Sequence, residues 1–177
     1  MRAGDKQRLS GLAQHGYCAS LDEYFYGVRE HLIFTPDGML AGVIHIPGNR
    51  HDVHGAYALL KTAFTGVFYA DNAYTPKPEK RDELRARGIH ICAVPKKNAK
   101  LPLAPSLDEY LRKERGVIER FIALYNQQFH AGRTLNRCAR HYCARRAFKM
   151  LSHNCSRVTN ATMQRPLHSV AHFHAAA

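Results

Sequence analysis

The spacing of apolar and polar positions changes several times along the chain, and each change predicts an element. Tyr24 to Phe34 alternates imperfectly, with Tyr24, Tyr26, Val28 and then His31 to Phe34, and reads as a strand. Thr35-Pro36-Asp37-Gly38 follows as a tight turn, with proline preset for the second position and glycine for positive φ. Met39 to Ile46 is the return strand, so the two form an antiparallel hairpin. After the loop Pro47 to His51, Asp52 is placed to cap a helix from Val53 to about Ala63, with Ala56, Leu59, Leu60 and Ala63 inward. Val67 to Ala70 is a short apolar run that reads as a buried strand, and Asp71 stands at its tip. Thr75-Pro76-Lys77-Pro78 breaks the backbone before a charged helix, Pro78 to Arg87, which Gly88 stops. Ile89 to Val94 is another buried strand. Strands alternating with helices after a hairpin predict a mixed sheet with parallel members and helices packed on it, an α/β fold.

Pro95 to Pro105 is a basic loop holding Lys96, Lys97 and Lys100. Ser106-Leu107-Asp108-Glu109 has the form of a capping box. Leu107, Tyr110, Leu111, Ile118, Phe121, Ile122, Tyr125 and Phe129 keep a helical spacing, which predicts a long helix from Leu107 to about His130. Gly132 marks its end, and a second helix runs from about Leu135 to Leu151 with Arg137, Arg140, Arg145, Arg146 and Lys149 along it. Residues 1–23 lack periodicity and read as a poorly ordered entry segment; residues 152–177 lose it again and read as an unstructured tail. The folded part is then residues 24–151.

Composition narrows the class. The 177 residues suffice for one domain with a core, and no apolar run approaches a membrane span. The polar start, Met1 to Lys6, has no signal-peptide core, so a cytoplasmic protein without a membrane partner is expected, nucleoid-associated if its partner is DNA. Five cysteines, an odd number with no C-x-x-C pair, give no sign of a disulfide framework or a zinc finger and fit reduced thiols best. The net charge of +12 is uneven: residues 1–76 carry six Lys/Arg against seven Asp/Glu, and residues 77–177 twenty against seven. A basic half beside a near-neutral half points to a polyanion such as DNA.

Two acids carry the candidate chemistry. Asp71 closes a buried strand, where α/β sheets gather ligands, although aspartate also caps turns. Glu119 lies inside the long helix four residues after Arg115, which equally describes an i,i+4 surface pair. If both acids meet at one sheet edge, their repulsion calls for a divalent cation, and oxygen ligands suit Mg²⁺ or Mn²⁺. Such ions activate a water or 3′-hydroxyl and stabilise the leaving oxygen of a phosphodiester.

The segments GYCASLDEYFYGVREHLIFTPDG, PGNRHDVHG, YADNAY and RGVIERF resemble the DDE transposases of bacterial insertion sequences, from about Gly16 to Leu151. The resemblance implies an RNase H-like catalytic domain, Asp71 as the second catalytic acid and Glu119 as the third, both metal ligands. It also implies that Arg115 and nearby basic residues, Arg120 among them, touch transposon-end DNA; Lys96, Lys97 and Lys100 are further candidate phosphate contacts by their place in a loop. His51-Asp52 recurs at the family's helix start, where Asp52 is read as a cap. The family's first catalytic Asp lies on an opening strand upstream of the segment matching Gly16. Fifteen residues precede Gly16 here, and none reads as an apolar strand ending in Asp; Asp5, in MRAGDKQ, has no strand before it. The expectation is an N-terminally truncated transposase with the first central strand missing, inactive alone. The alternative is a non-catalytic DNA-binding fragment that binds transposon ends or interferes with intact transposase, as a homo-oligomer or with the intact enzyme.

Overall fold

The structure, a computed structural model, describes residues 9, 12–18, 22–61, 64–94, 103–130 and 138–167. Lys96, Lys97, Lys100, Asp5, Ala63, Gly132, Leu135 and Arg137 lie outside them, as do His168, His172 and His174. The described elements are antiparallel and parallel strands with helices, the mixed α/β class expected. The chain divides into two units: one holds the described residues of Met1–Leu12, Leu32–Gly42 and Arg120–Ala177, the other those of Ala13–His31 and Val43–Glu119. Two strands and one helix run through both.

The second unit carries both acids. Its first sheet has the order β1 (Gln14–Cys18), β2 (Glu23–Phe34), β3 (Leu40–Pro47). Strand β1 is antiparallel to β2, from Gln14 opposite Gly27 to Cys18 opposite Glu23. Within the entry segment expected to be irregular over residues 1–23, this corrects the reading for Gln14–Cys18. Gly16 hid the strand, because glycine weakens a strand pattern. It is needed there: a Cβ on Gly16 would lie 2.2 Å from the Gly48 carbonyl oxygen. Arg29 fastens the same corner, donating from Nε to the Gly48 carbonyl at 2.9 Å and from Nη2 to the Tyr17 carbonyl at 2.8 Å.

Helix α1 (Asp52–Leu60) buries Gly55, Ala56, Leu59 and Leu60. Its cap is His51, whose side chain accepts from the Val53 amide; Asp52 sits in the first turn instead and pairs with Arg29 at 3.1 Å. That corrects the reading of Asp52 as the cap: the Arg29 guanidinium across from it draws the carboxylate away from the helix end. Strands β4 (Gly66–Ala70) and β5 (Ile89–Ala93) pair in parallel, Gly66 opposite Ile89 through Ala70 opposite Ala93. Helix α2 (Pro78–Ala86) makes the crossover, and Gly88, at φ +72°, closes it by accepting from the Gly66 amide at 2.7 Å. The single mixed sheet expected is thus two sheets, since no described strand pairs with both the hairpin and the parallel pair.

Helix α3 (Pro105–Phe129) starts one residue before Ser106, with proline in the first turn and the Ala104 carbonyl accepting from Leu107 and Asp108. The Ser106-x-x-Glu109 box is therefore inside the helix, because proline at the first helical position has no amide to satisfy.

In the first unit, the hairpin turn closes through Gly38 N–H to the Thr35 carbonyl at 2.8 Å. Leu40 and Tyr125 are buried together, with Leu32, Phe34, Phe129 and Met150 against them. Helix α4 (Ala139–Thr162) continues eleven residues past Leu151, where an unstructured tail was expected. Its inward residues beyond that point are His153, Arg157 and Asn160, all polar. They pack on aromatic rings and also grip backbone: His153 lies edge-on to Phe34, Tyr125 and Phe129 while its Nε2 donates to the Gly38 carbonyl at 2.9 Å, and Arg157 lies over Phe121 and donates to the Asp37 carbonyl. Asn154 takes both the Leu40 amide (2.8 Å) and its carbonyl (2.9 Å).

Candidate functional site

Strand β4 ends because Asp71 turns its carboxylate back on the chain. Asp71 Oδ1 accepts from the Asn72 amide at 2.7 Å and caps a 3₁₀ turn, Asn72–Tyr74. The turn is closed by Tyr74 N–H to the Asp71 carbonyl and Thr75 N–H to the Asn72 carbonyl, both 3.0 Å. Behind it, the Tyr74 hydroxyl lies 2.7 Å from His31 Nδ1, and the rings meet edge to face. Burial, with the Asp52 and Asp71 carboxylates nearby, pushes the Tyr74 phenol up to about 12, so it keeps its proton at neutral pH.

Glu119 comes from α3. Arg115, one turn earlier, donates from Nε to Glu119 Oε1 at 2.8 Å. The same guanidinium reaches Asp71 Oδ1 with Nη1 at 3.5 Å. One cation therefore joins the strand-tip acid to the helix acid. Nearby, the Tyr110 hydroxyl of α3 donates to the Tyr69 hydroxyl of β4 at 3.2 Å, which ties the two elements beside the acids. That hydrogen bond is the main cause raising the Tyr69 phenol to about 12. Both the turn-cap reading of Asp71 and the i,i+4 reading of Glu119 describe real contacts, and Arg115 adds the link that neither reading contained.

The carboxylates are open, with Asp71 51% and Glu119 61% exposed. Among the described residues, Asp71 Oδ2 and Glu119 Oε2 accept no hydrogen bond. Hard, unprotected oxygens of this kind suit Mg²⁺ or Mn²⁺, which is often held by one or two carboxylates plus substrate phosphates. Among the described residues no group of three His, Cys, Asp or Glu side chains gathers to hold an ion. Two carboxylates that Arg115 already joins fall short of a closed metal centre.

Of the other expected contacts, Arg115 lies at the acids, as described. Arg120 is exposed and lines an open cleft of about 480 Å³ with Phe121, Leu124, Gln127 and Arg157. Lys96, Lys97 and Lys100 fall outside the described residues. Two residues behind Asp71 were not legible as part of a site. Spacing marked His31 only as a position in a strand and gave Tyr74 no role. The signal for Tyr74 is its being a large aromatic three residues after Asp71, in a turn otherwise made of small residues; His31 carries none.

No helix among the described residues is long and apolar enough to cross a membrane. No curated protein and no solved structure matches the chain. The model of one family does, that of the transposase DDE domain, and it matches residues 2–155. With nearly the whole chain inside that match, and an Asp and a Glu drawn to one arginine, this protein belongs to the transposase DDE domain family.

Proposed function

We propose that the chain carries the phosphodiester chemistry of insertion-sequence transposition in incomplete form, on an RNase H-like framework. Asp71 and Glu119 are the acids that would hold a divalent ion; Arg115 and Arg120, with Lys96, Lys97 and Lys100, would meet the DNA. The observation that carries this reading is the Arg115 bridge, because it draws together carboxylates 48 residues apart in sequence. When bound, a divalent ion supplies Lewis-acid stabilisation of the leaving oxygen and an activated hydroxyl. The residues of the chain do the rest. Asp71 and Glu119 supply the negative charge that holds such an ion. Arg115 neutralises the pair, and its planar donor fork also suits phosphate oxygens.

Two acids bind an ion more weakly than three, so the chain alone is inert in strand cleavage. The second reading, a DNA-binding protein that occupies transposon ends or interferes with intact transposase, is favoured by the excess of twenty Lys/Arg over seven Asp/Glu in residues 77–177. A nicking assay on plasmid DNA carrying the sequences that flank the gene, with Mg²⁺ or Mn²⁺, tests both. Binding that weakens steeply with salt and no cleavage is expected. Cleavage that Asp71→Asn or Glu119→Gln abolishes would overturn the claim of inertness. No binding at low salt would overturn the second reading.

A further inference from the structure

Asp71 needs more than its own turn to hold a direction. Its carboxylate is half exposed and held by one backbone amide of the same turn and by the exposed Arg115 guanidinium at 3.5 Å, neither of which fixes the main chain of the turn. The turn Asn72–Tyr74 buries no residue fully, and its own hydrogen bonds are local. Short turns at strand tips with few buried contacts open easily. The bond that leaves this turn for the interior is the one from Tyr74 to His31.

His31 is built to be immobile. It is 3% exposed, on β2. Its ring fills a notch made by Gly55 of α1, where a Cβ would stand 2.2 Å from Cδ2 and 2.4 Å from Nε2. Glycine inside a helix costs about 1 kcal/mol relative to alanine, so the notch opposes the propensity of α1. His31 Nε2, against Gly55, has no hydrogen-bond partner among the described residues. A buried ring kept for packing alone would be better served by an apolar side chain, because an unpartnered buried nitrogen is unfavourable. The value of the imidazole lies in its other nitrogen, Nδ1, at 2.7 Å from the Tyr74 hydroxyl.

We infer that His31 is a positioning residue for Asp71, acting through the Tyr74 hydroxyl. The connection runs from the notch in α1 to the His31 ring, from Nδ1 to the Tyr74 hydroxyl, and from the Tyr74 amide to the Asp71 carbonyl at 3.0 Å. It locks the main chain on which the carboxylate is carried. Its consequence for ion binding rests on the proposal that Asp71 is a metal ligand; its consequence for the turn does not.

Amide hydrogen exchange of the full chain, followed by NMR, tests the turn directly, and Mn²⁺ line broadening at the Asn72 amide tests the carboxylate. Tyr74→Phe keeps the ring and removes the hydroxyl. His31→Asn places an amide group where Nδ1 stands, whereas His31→Gln places it nearer Nε2. Tyr74→Phe and His31→Gln are expected to speed exchange at Asn72 and Tyr74 by about 10-fold or more, with Ile91 and Ala93 in β5 unchanged. Both should weaken Mn²⁺ binding by roughly 10-fold, the usual scale for losing a group that orients a ligand. His31→Asn should stay near wild type in both readouts, a rescue that a purely space-filling role would not give. Unchanged exchange at Asn72 and Tyr74 in Tyr74→Phe would overturn the inference. If Mn²⁺ binding survives Asp71→Asn, the ligand reading of Asp71 fails, and the exchange rates still decide whether His31 fixes the turn.

Discussion

At the scale of single residues, Arg115 has two kinds of consequence that separate cleanly. Its pairs with Asp71 and Glu119 are exposed, with Arg115 itself 44% exposed, so solvent screens them and they contribute little to stability. Arg115→Ala is expected to lower unfolding free energy by no more than about 1 kcal/mol in a urea titration. The same change removes the cation that Asp71 and Glu119 share. Mn²⁺ affinity should therefore rise, while affinity for duplex DNA should fall if Arg115 meets a phosphate as proposed. A variant that binds Mn²⁺ more weakly than wild type would contradict the bridge. Gly55 illustrates how a residue can look wrong locally and be right in context. Inside a helix it reads as a weak point, yet the His31 ring occupies the space its side chain would need.

At the scale of elements, the strand that carries Asp71 was legible because β4 is a plain apolar run bounded by Gly66 and Asp71, but its expected burial was not found: no residue of β4 is buried, and Val67 is 55% exposed. The far half of α4 was not legible, and its geometry explains why. Hydrophobic periodicity detects helices that bury grease, whereas this one presents His153, Arg157 and Asn160 inward and reads the backbone of the hairpin turn. Such a face has a pH cost. Burial, reinforced by Arg157 and opposed by the bond to Gly38, holds the His153 imidazole below its ordinary 6.5; burial lowers His31 as well. The native state then resists protons that the unfolded chain accepts. Stability is complete above about pH 6.5 and falls as the pH drops below it toward the lowered native values. The urea midpoint at pH 5.5 should therefore lie below that at pH 7.5, and His153→Gln, whose amide can still donate to Gly38, should shrink the difference. An equal difference in the variant would place the titration elsewhere.

At the scale of the whole molecule, charge and family membership were both written in the sequence. The basic excess in residues 77–177 and the YADNAY and RGVIERF segments needed no coordinates. What the sequence withheld was the connection between distant positions. Nothing in the spacing says that one arginine would touch both acids, or that a histidine 40 residues before Asp71 would hold its turn. The two-sheet arrangement was hidden too, because pairing depends on which strands have neighbours rather than on their own pattern. Whether Asp71 and Glu119 act as one site is the claim on which the functional reading depends. Mn²⁺ binding to the full chain, followed by electron paramagnetic resonance, measures it in wild type, Asp71→Asn, Glu119→Gln and the double variant. A shared ion predicts that either single change removes nearly as much affinity as both together. Losses that simply add, or single variants that bind as wild type does, would show that the two acids do not hold a common ion.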